Sequence, residues 1–129
     1  MEPVTLYVCT TCRMADDPAD GPRAGRRLFD ALGEALAAAP APVRLEPVEC
    51  LSVCKRPCTV AVASPGRWTY VYGDFAAAPD AARTILDGLG LYADTPDGLV
   101  PWRARPESFR KGVVARIPPA AAPPPEPAA

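Results

Sequence analysis

All five cysteines of this 129-residue chain fall in two short segments, Cys9-Thr10-Thr11-Cys12 and Cys50-Leu51-Ser52-Val53-Cys54-Lys55-Arg56-Pro57-Cys58. Each segment directly follows a run suited to a β-strand. Val4–Val8 is β-branched and aromatic, and Val43–Val48 is a second such run, weakened by Pro47. Between them, Ala24 to Ala38 sets Leu28, Leu32 and Leu36 at helical spacing with Ala31 and Ala35 alongside, and Pro40 and Pro42 stop the run. Strand, helix and strand in this order close as a right-handed unit with the strands parallel. Parallel strands end on one edge of their sheet, so the spacing predicts that both cysteine segments share a rim.

The rest of the chain completes an α/β layout. Cys58–Ala63 reads as a third strand, Ser64-Pro65-Gly66 as a turn and Trp68–Tyr72 as a fourth strand, which together make a hairpin. Pro79 and Asp80 suit the first turn of a second helix with Ala82, Ile85, Leu86 and Leu89 on its apolar face, and Gly88 and Gly90 mark its end. The order βαβ then ββα is that of a thioredoxin-like core, here residues 1–93. Residues 94–117 form a basic C-terminal extension, within which Leu99–Ile117 carries Arg103, Arg105, Arg110, Lys111 and Arg116 against Glu107, with Trp102 and Phe109 between them. Beyond it, the Ala/Pro composition of residues 118–129 cannot bury a core and reads as a disordered tail.

Composition removes several classes of function. A net charge of −1 does not suit a nucleic-acid binder, which needs a basic surface to release counterions. No run approaches the roughly 20 apolar residues of a membrane span, and Met1–Leu6 does not open like a secretory leader. The expected setting is therefore reducing and cytoplasmic, where clustered cysteines mean metal or redox chemistry more often than disulfides. The chain has no histidine, so a soft-metal site must use sulfur or carboxylate oxygen. Asp16 and Asp17 lie on a polar loop without a base nearby, so no catalytic constellation is expected.

Four thiolates on two loops suit a [2Fe-2S] cluster, with Cys9, Cys12, Cys50 and Cys54 as ligands. Cys58 is surplus, either a reserve ligand or a small buried residue. Arg13, Lys55 and Arg56 lie close to these positions in sequence, where positive charge would favour the reduced cluster. Two other readings stay open. Zinc or cobalt on the same thiolates would make a metal carrier or sensor, and Cys9 with Cys12 would make a CxxC thiol oxidoreductase. In thioredoxin-type dithiols a helix starts at the CxxC and lowers the attacking thiol's pKa, whereas here a proline-broken loop intervenes. The basic extension either docks an acidic redox partner on Arg103, Arg105, Arg110 and Lys111, with Trp102 and Phe109 as anchors, or packs as a cover over the core. A homodimer is also compatible with the sequence.

Cys50-Leu51-Ser52-Val53-Cys54, followed by a proline and a β-run, resembles the second cysteine pair of thioredoxin-like [2Fe-2S] ferredoxins and of the related small subunit of respiratory complex I. The resemblance implies that Cys9 matches the ligand after the first strand, and Cys50 and Cys54 the later pair. In that family the fourth ligand lies farther beyond the first than Cys12 lies beyond Cys9, so this sequence departs from the pattern. The whole chain except its tail is similar to a bacterial family of small predicted metal-binding proteins. That likeness is carried by the two cysteine segments with Thr59-Val60, by Asp97-Gly98-Leu99-Val100-Pro101-Trp102-Arg103, and by Phe109-Arg110-Lys111-Gly112. Members resemble thioredoxin-like ferredoxins in fold, and some are encoded near cobalamin-synthesis genes. The resemblance implies electron delivery in such a pathway, or handling of cobalt.

Overall fold

A computed structural model describes residues 3–15, 17–53 and 55–120. Strand β1 (Val4–Cys9), helix α1 (Ala24–Ala38) and strand β2 (Val43–Val48) form the expected unit, with β1 and β2 parallel from Val4 opposite Val43 to Cys9 opposite Val48. The hairpin of β3 (Val60–Ala63) and β4 (Thr69–Tyr72) then lies antiparallel to β1 through β3. Helix α2 (Pro79–Ala93) follows, and a single 3-10 turn at Trp102–Ala104 leads to the short helix α3 (Glu107–Lys111) and strand β5 (Val113–Ile117). The sheet order is β2-β1-β3-β4-β5.

Alternation along the strands explains where the core forms. Val4, Leu6 and Val8 of β1, Val60 and Val62 of β3, and Tyr70 and Tyr72 of β4 are buried with Leu28 and Leu32 of α1 and Ala82, Ile85, Leu89 and Tyr92 of α2. The sequence pattern thus holds for both helices and for the parallel pair.

Four expectations change. Gly88 and Gly90 do not end the second helix, which runs to Ala93. Gly88 is the seat of the Phe109 ring, whose atoms would collide with any Cβ there. Phe109 is accordingly buried, against Tyr72 and Phe75 at ring-centroid distances of 4.3 and 5.9 Å, and is not a partner anchor. The third strand starts at Val60 and not at Cys58, because Cys58 holds a left-handed backbone (φ 60°) that a strand cannot continue. Residues 107–117 supply a helix and the sheet's fifth strand, paired to β4 from Thr69 opposite Ile117 to Tyr72 opposite Val113. The Ala/Pro tail from residue 121 onward lies outside the described residues, as do Met1, Glu2, Asp16 and Cys54. Among the described residues no helix is long and apolar enough to cross a membrane.

Candidate metal centre

Parallel pairing brings Cys9 and the Glu49-Cys50 segment to one end of the sheet, and backbone and threonine bonds then join the two cysteine segments. Thr10 N–H donates to the Val48 carbonyl at 2.8 Å, Thr10 Oγ1 donates to the same oxygen at 3.3 Å, and the Thr11 hydroxyl donates to the Glu49 carbonyl. On the other flank, Cys9 N–H donates to the Thr59 carbonyl at 3.1 Å. The two threonines inside the CxxC therefore do more than fill the spacing. A polar pair between two cysteines was a visible signal, but its partners were not.

Cys9, Thr11, Cys12, Arg13, Cys50 and Val53 line one cavity of about 160 Å³. Cys9 and Cys12 are 3% and 6% exposed, while Cys50 is exposed at the rim. Cys58 is fully buried in the core and does not line the cavity. Cys54 lies outside the described residues. Among the described residues no three metal-ligating side chains converge on a single ion position.

Backbone donors face these sulfurs. Ser52, whose φ of 61° turns the chain sharply after Cys50, directs its N–H at the Cys50 Sγ at 3.2 Å. Burial pushes the Cys9 thiol up, but the Cys12 hydrogen bond and the N–H groups of Leu51 and Thr11 outweigh it, leaving Cys9 below the usual cysteine range. Cys12 moves the other way, raised by burial and by the adjacent Cys9 against the N–H groups of Thr59 and Cys58. Burial, and then the neighbouring Cys12 and Asp17, push the Cys58 thiol up to about 12, so it stays protonated at neutral pH. The rim thus contains N–H groups turned toward sulfur, with Arg13 as the cation lining the cavity. This soft, anion-stabilising donor set fits a thiolate-held centre.

The loop at residues 13–22 is tied down by an aspartate. Asp17 Oδ2 accepts N–H bonds from Met14 at 3.0 Å and Ala24 at 2.9 Å, and its other oxygen pairs with Arg27 at 2.5 Å. Those two backbone bonds, with Arg27, hold its carboxyl below the usual range. The loop in this way returns the start of α1 to the CxxC, where Gly25 N–H donates to the Cys12 carbonyl at 3.0 Å. The helix N-terminus is therefore beside the cysteines after all. Its first donors are taken by Asp17 and by the Cys12 carbonyl and do not bond a thiol.

Lys55 is exposed, and Arg56 does not face the cavity. Its guanidinium pairs with Asp74 at 2.7 Å and donates to the Val113 and Lys111 carbonyls at 3.2 and 3.0 Å. Arg56 therefore fastens the cysteine loop to the end of α3 and the start of β5.

The family model for "Protein of unknown function (DUF1636)" matches residues 6–119, and the chain belongs to that family. No curated protein matches the chain. Among solved structures, the chain is similar to a thioredoxin-like [2Fe-2S] ferredoxin from Aquifex aeolicus, with a TM-score of 0.57 and 18% identity over 95% of this chain and 100% of that one. A second structure of the wild-type Aquifex aeolicus protein gives 0.56 and 19%, covering 89% and 99%. A cysteine-to-serine variant of it gives 0.55 and 17%, covering 87% and 98%. At these identities the likeness establishes the thioredoxin-like fold.

Proposed function

We propose that this DUF1636 member is a [2Fe-2S] electron carrier, with Cys9, Cys12 and Cys50 as ligands and Cys54, close to Cys50 in sequence, as the fourth. The observation that carries the reading is the meeting of Cys9, Cys12 and Cys50 around one small cavity, with backbone N–H groups turned toward their sulfurs. When bound, such a cluster takes up and releases one electron. The chain's own part is to hold the thiolates, exclude water and balance charge. Burial of Cys9 and Cys12 keeps solvent from one side, while exposed Cys50 marks the side open to a partner. N–H groups of Thr11, Leu51, Ser52, Cys58 and Thr59 oppose the negative charge on sulfur. Cys58, fully buried and outside the cavity lining, is a core residue in this reading.

Single Cys→Ser variants, purified anaerobically, test the ligand set. Cys9, Cys12, Cys50 and Cys54 variants are expected to lose or shift the sulfur-to-iron charge-transfer bands, and Cys58→Ser to keep them. Loss of the bands in Cys58→Ser with their retention in Cys12→Ser would overturn the assignment. A colourless protein holding one zinc ion, or a protein holding one cobalt ion and no sulfide, would move the function to a metal carrier, and a metal-free dithiol to an oxidoreductase.

A further inference from the structure

Most of the bases in the C-terminal segment are held by the fold. Arg105 donates to the Val100 carbonyl at 2.9 Å and to the Tyr70 hydroxyl at 3.3 Å, over the Tyr70 ring. Arg116 lies over Trp68. Around the 3-10 turn and α3 the arrangement differs. Trp102 is 61% exposed, although an indole of that size would ordinarily be covered. Arg110, anchored by its Nε bond to the Arg105 carbonyl at 3.0 Å, lies 5.1 Å from the Trp102 ring centroid. The indole is thus presented beneath a fixed guanidinium. Arg103 is exposed and makes no ion pair among the described residues. Lys111 is exposed and pairs only with Glu107 one turn earlier, a contact of little strength in water.

From this patch we infer that Trp102, Arg103, Arg110 and Lys111 dock an acidic redox protein, an inference that rests on the electron-carrier reading. Charge complementarity selects the partner, since the segment concentrates positive charge on a chain of net charge −1. An exposed tryptophan framed by arginines has the composition of an interface anchor. The location also fits. Arg56 of the cysteine loop donates to the Lys111 carbonyl, so the far end of the patch is one hydrogen bond from the segment carrying the proposed ligands. Arg105 supports the patch from beneath.

The test uses the full-length ¹⁵N-labelled protein with two probes, an acidic flavodoxin and a basic cytochrome c. The acidic probe is expected to shift the Trp102 indole and the Arg103 and Lys111 amides at low salt, with the effect lost as salt screens it. Arg103→Glu and Trp102→Ala, both at exposed positions, are each expected to weaken that binding about tenfold. Shifts centred elsewhere, equal binding of the basic probe at these residues, or variants that bind like wild type would overturn the inference. Iron content is measured on the same samples. Iron present without binding at the patch sinks the docking alone, and binding without iron sinks the carrier reading alone.

Discussion

Gly25→Ala probes how the site is built. Gly25 sits in the first turn of α1 and is buried against the CxxC. A Cβ there would lie 3.1 Å from Cys12 N and 3.2 Å from Cys12 Cβ, and deep inside contact with the Cys9 carbonyl oxygen. That backbone has little room to yield, because Cys9 N–H is bonded to Thr59 and Thr10 N–H to Val48. Overpacking costs about 1–3 kcal/mol, and contact with pinned backbone belongs at about 3. The usual gain of up to about 1 kcal/mol for alanine over glycine in a helix leaves a net loss of about 2. For a chain of this size that is a fall in Tm of about 8 °C. Gly33→Ala, on the same helix, meets only Leu45 Cδ2 at 3.9 Å and should raise stability by about 0.5–1 kcal/mol. Thermal and urea unfolding followed by circular dichroism measure both. Equal stabilities for the two variants, or a Gly25→Ala protein as stable as wild type, would refute the packing argument. Gly25→Ala should also lose bound cofactor where Gly33→Ala keeps it.

Other consequences are as specific. Gly88→Ala should cost about 3 kcal/mol by displacing the Phe109 ring, whereas Gly90→Ala, with nothing within 4 Å, should stabilise by about 0.5–1, both read by urea midpoint. Cys58→Ala should cost about 1 kcal/mol and leave cofactor content unchanged, while Cys50→Ala should abolish cofactor binding and leave the stability of the apoprotein nearly unchanged. Asp17→Asn should destabilise at neutral pH. Because the folded Asp17 carboxyl titrates below its unfolded value, its contribution is complete above the unfolded carboxylate pKa and lost as pH falls through the folded one. The gap between wild type and Asp17→Asn in denaturant midpoint should therefore close on acidification, and a constant gap would show that the charge plays no part.

The parallel βαβ unit was legible because it is written locally, with Leu28 and Leu32 on one helical face and a β-branched and aromatic run at Val4–Val8. The shared rim followed from strand direction alone. What could not be read were features set by distant partners. Gly88 looks like a stop until Phe109, twenty-one residues on, is seen lying on it. Val113–Ile117 carries no strand signal strong enough to show through its basic neighbours, and β4 supplies the template it needs. Arg56 reads as a charge beside cysteine, but the carbonyls of Lys111 and Val113 claim it. Asp17 reads as one acid in a polar loop, and only the returning helix shows it to be the clasp. Cys58 could not be placed by spacing, whereas the structure buries it fully and leaves it outside the lining of the cavity that Cys9, Cys12 and Cys50 share.

Iron and acid-labile sulfide counted per chain in anaerobically purified protein, alongside its visible spectrum, test the central claim most directly. A red-brown protein with about two irons and two sulfides per chain is the predicted result. A single zinc or cobalt ion per chain without sulfide, or no metal at all, would contradict it.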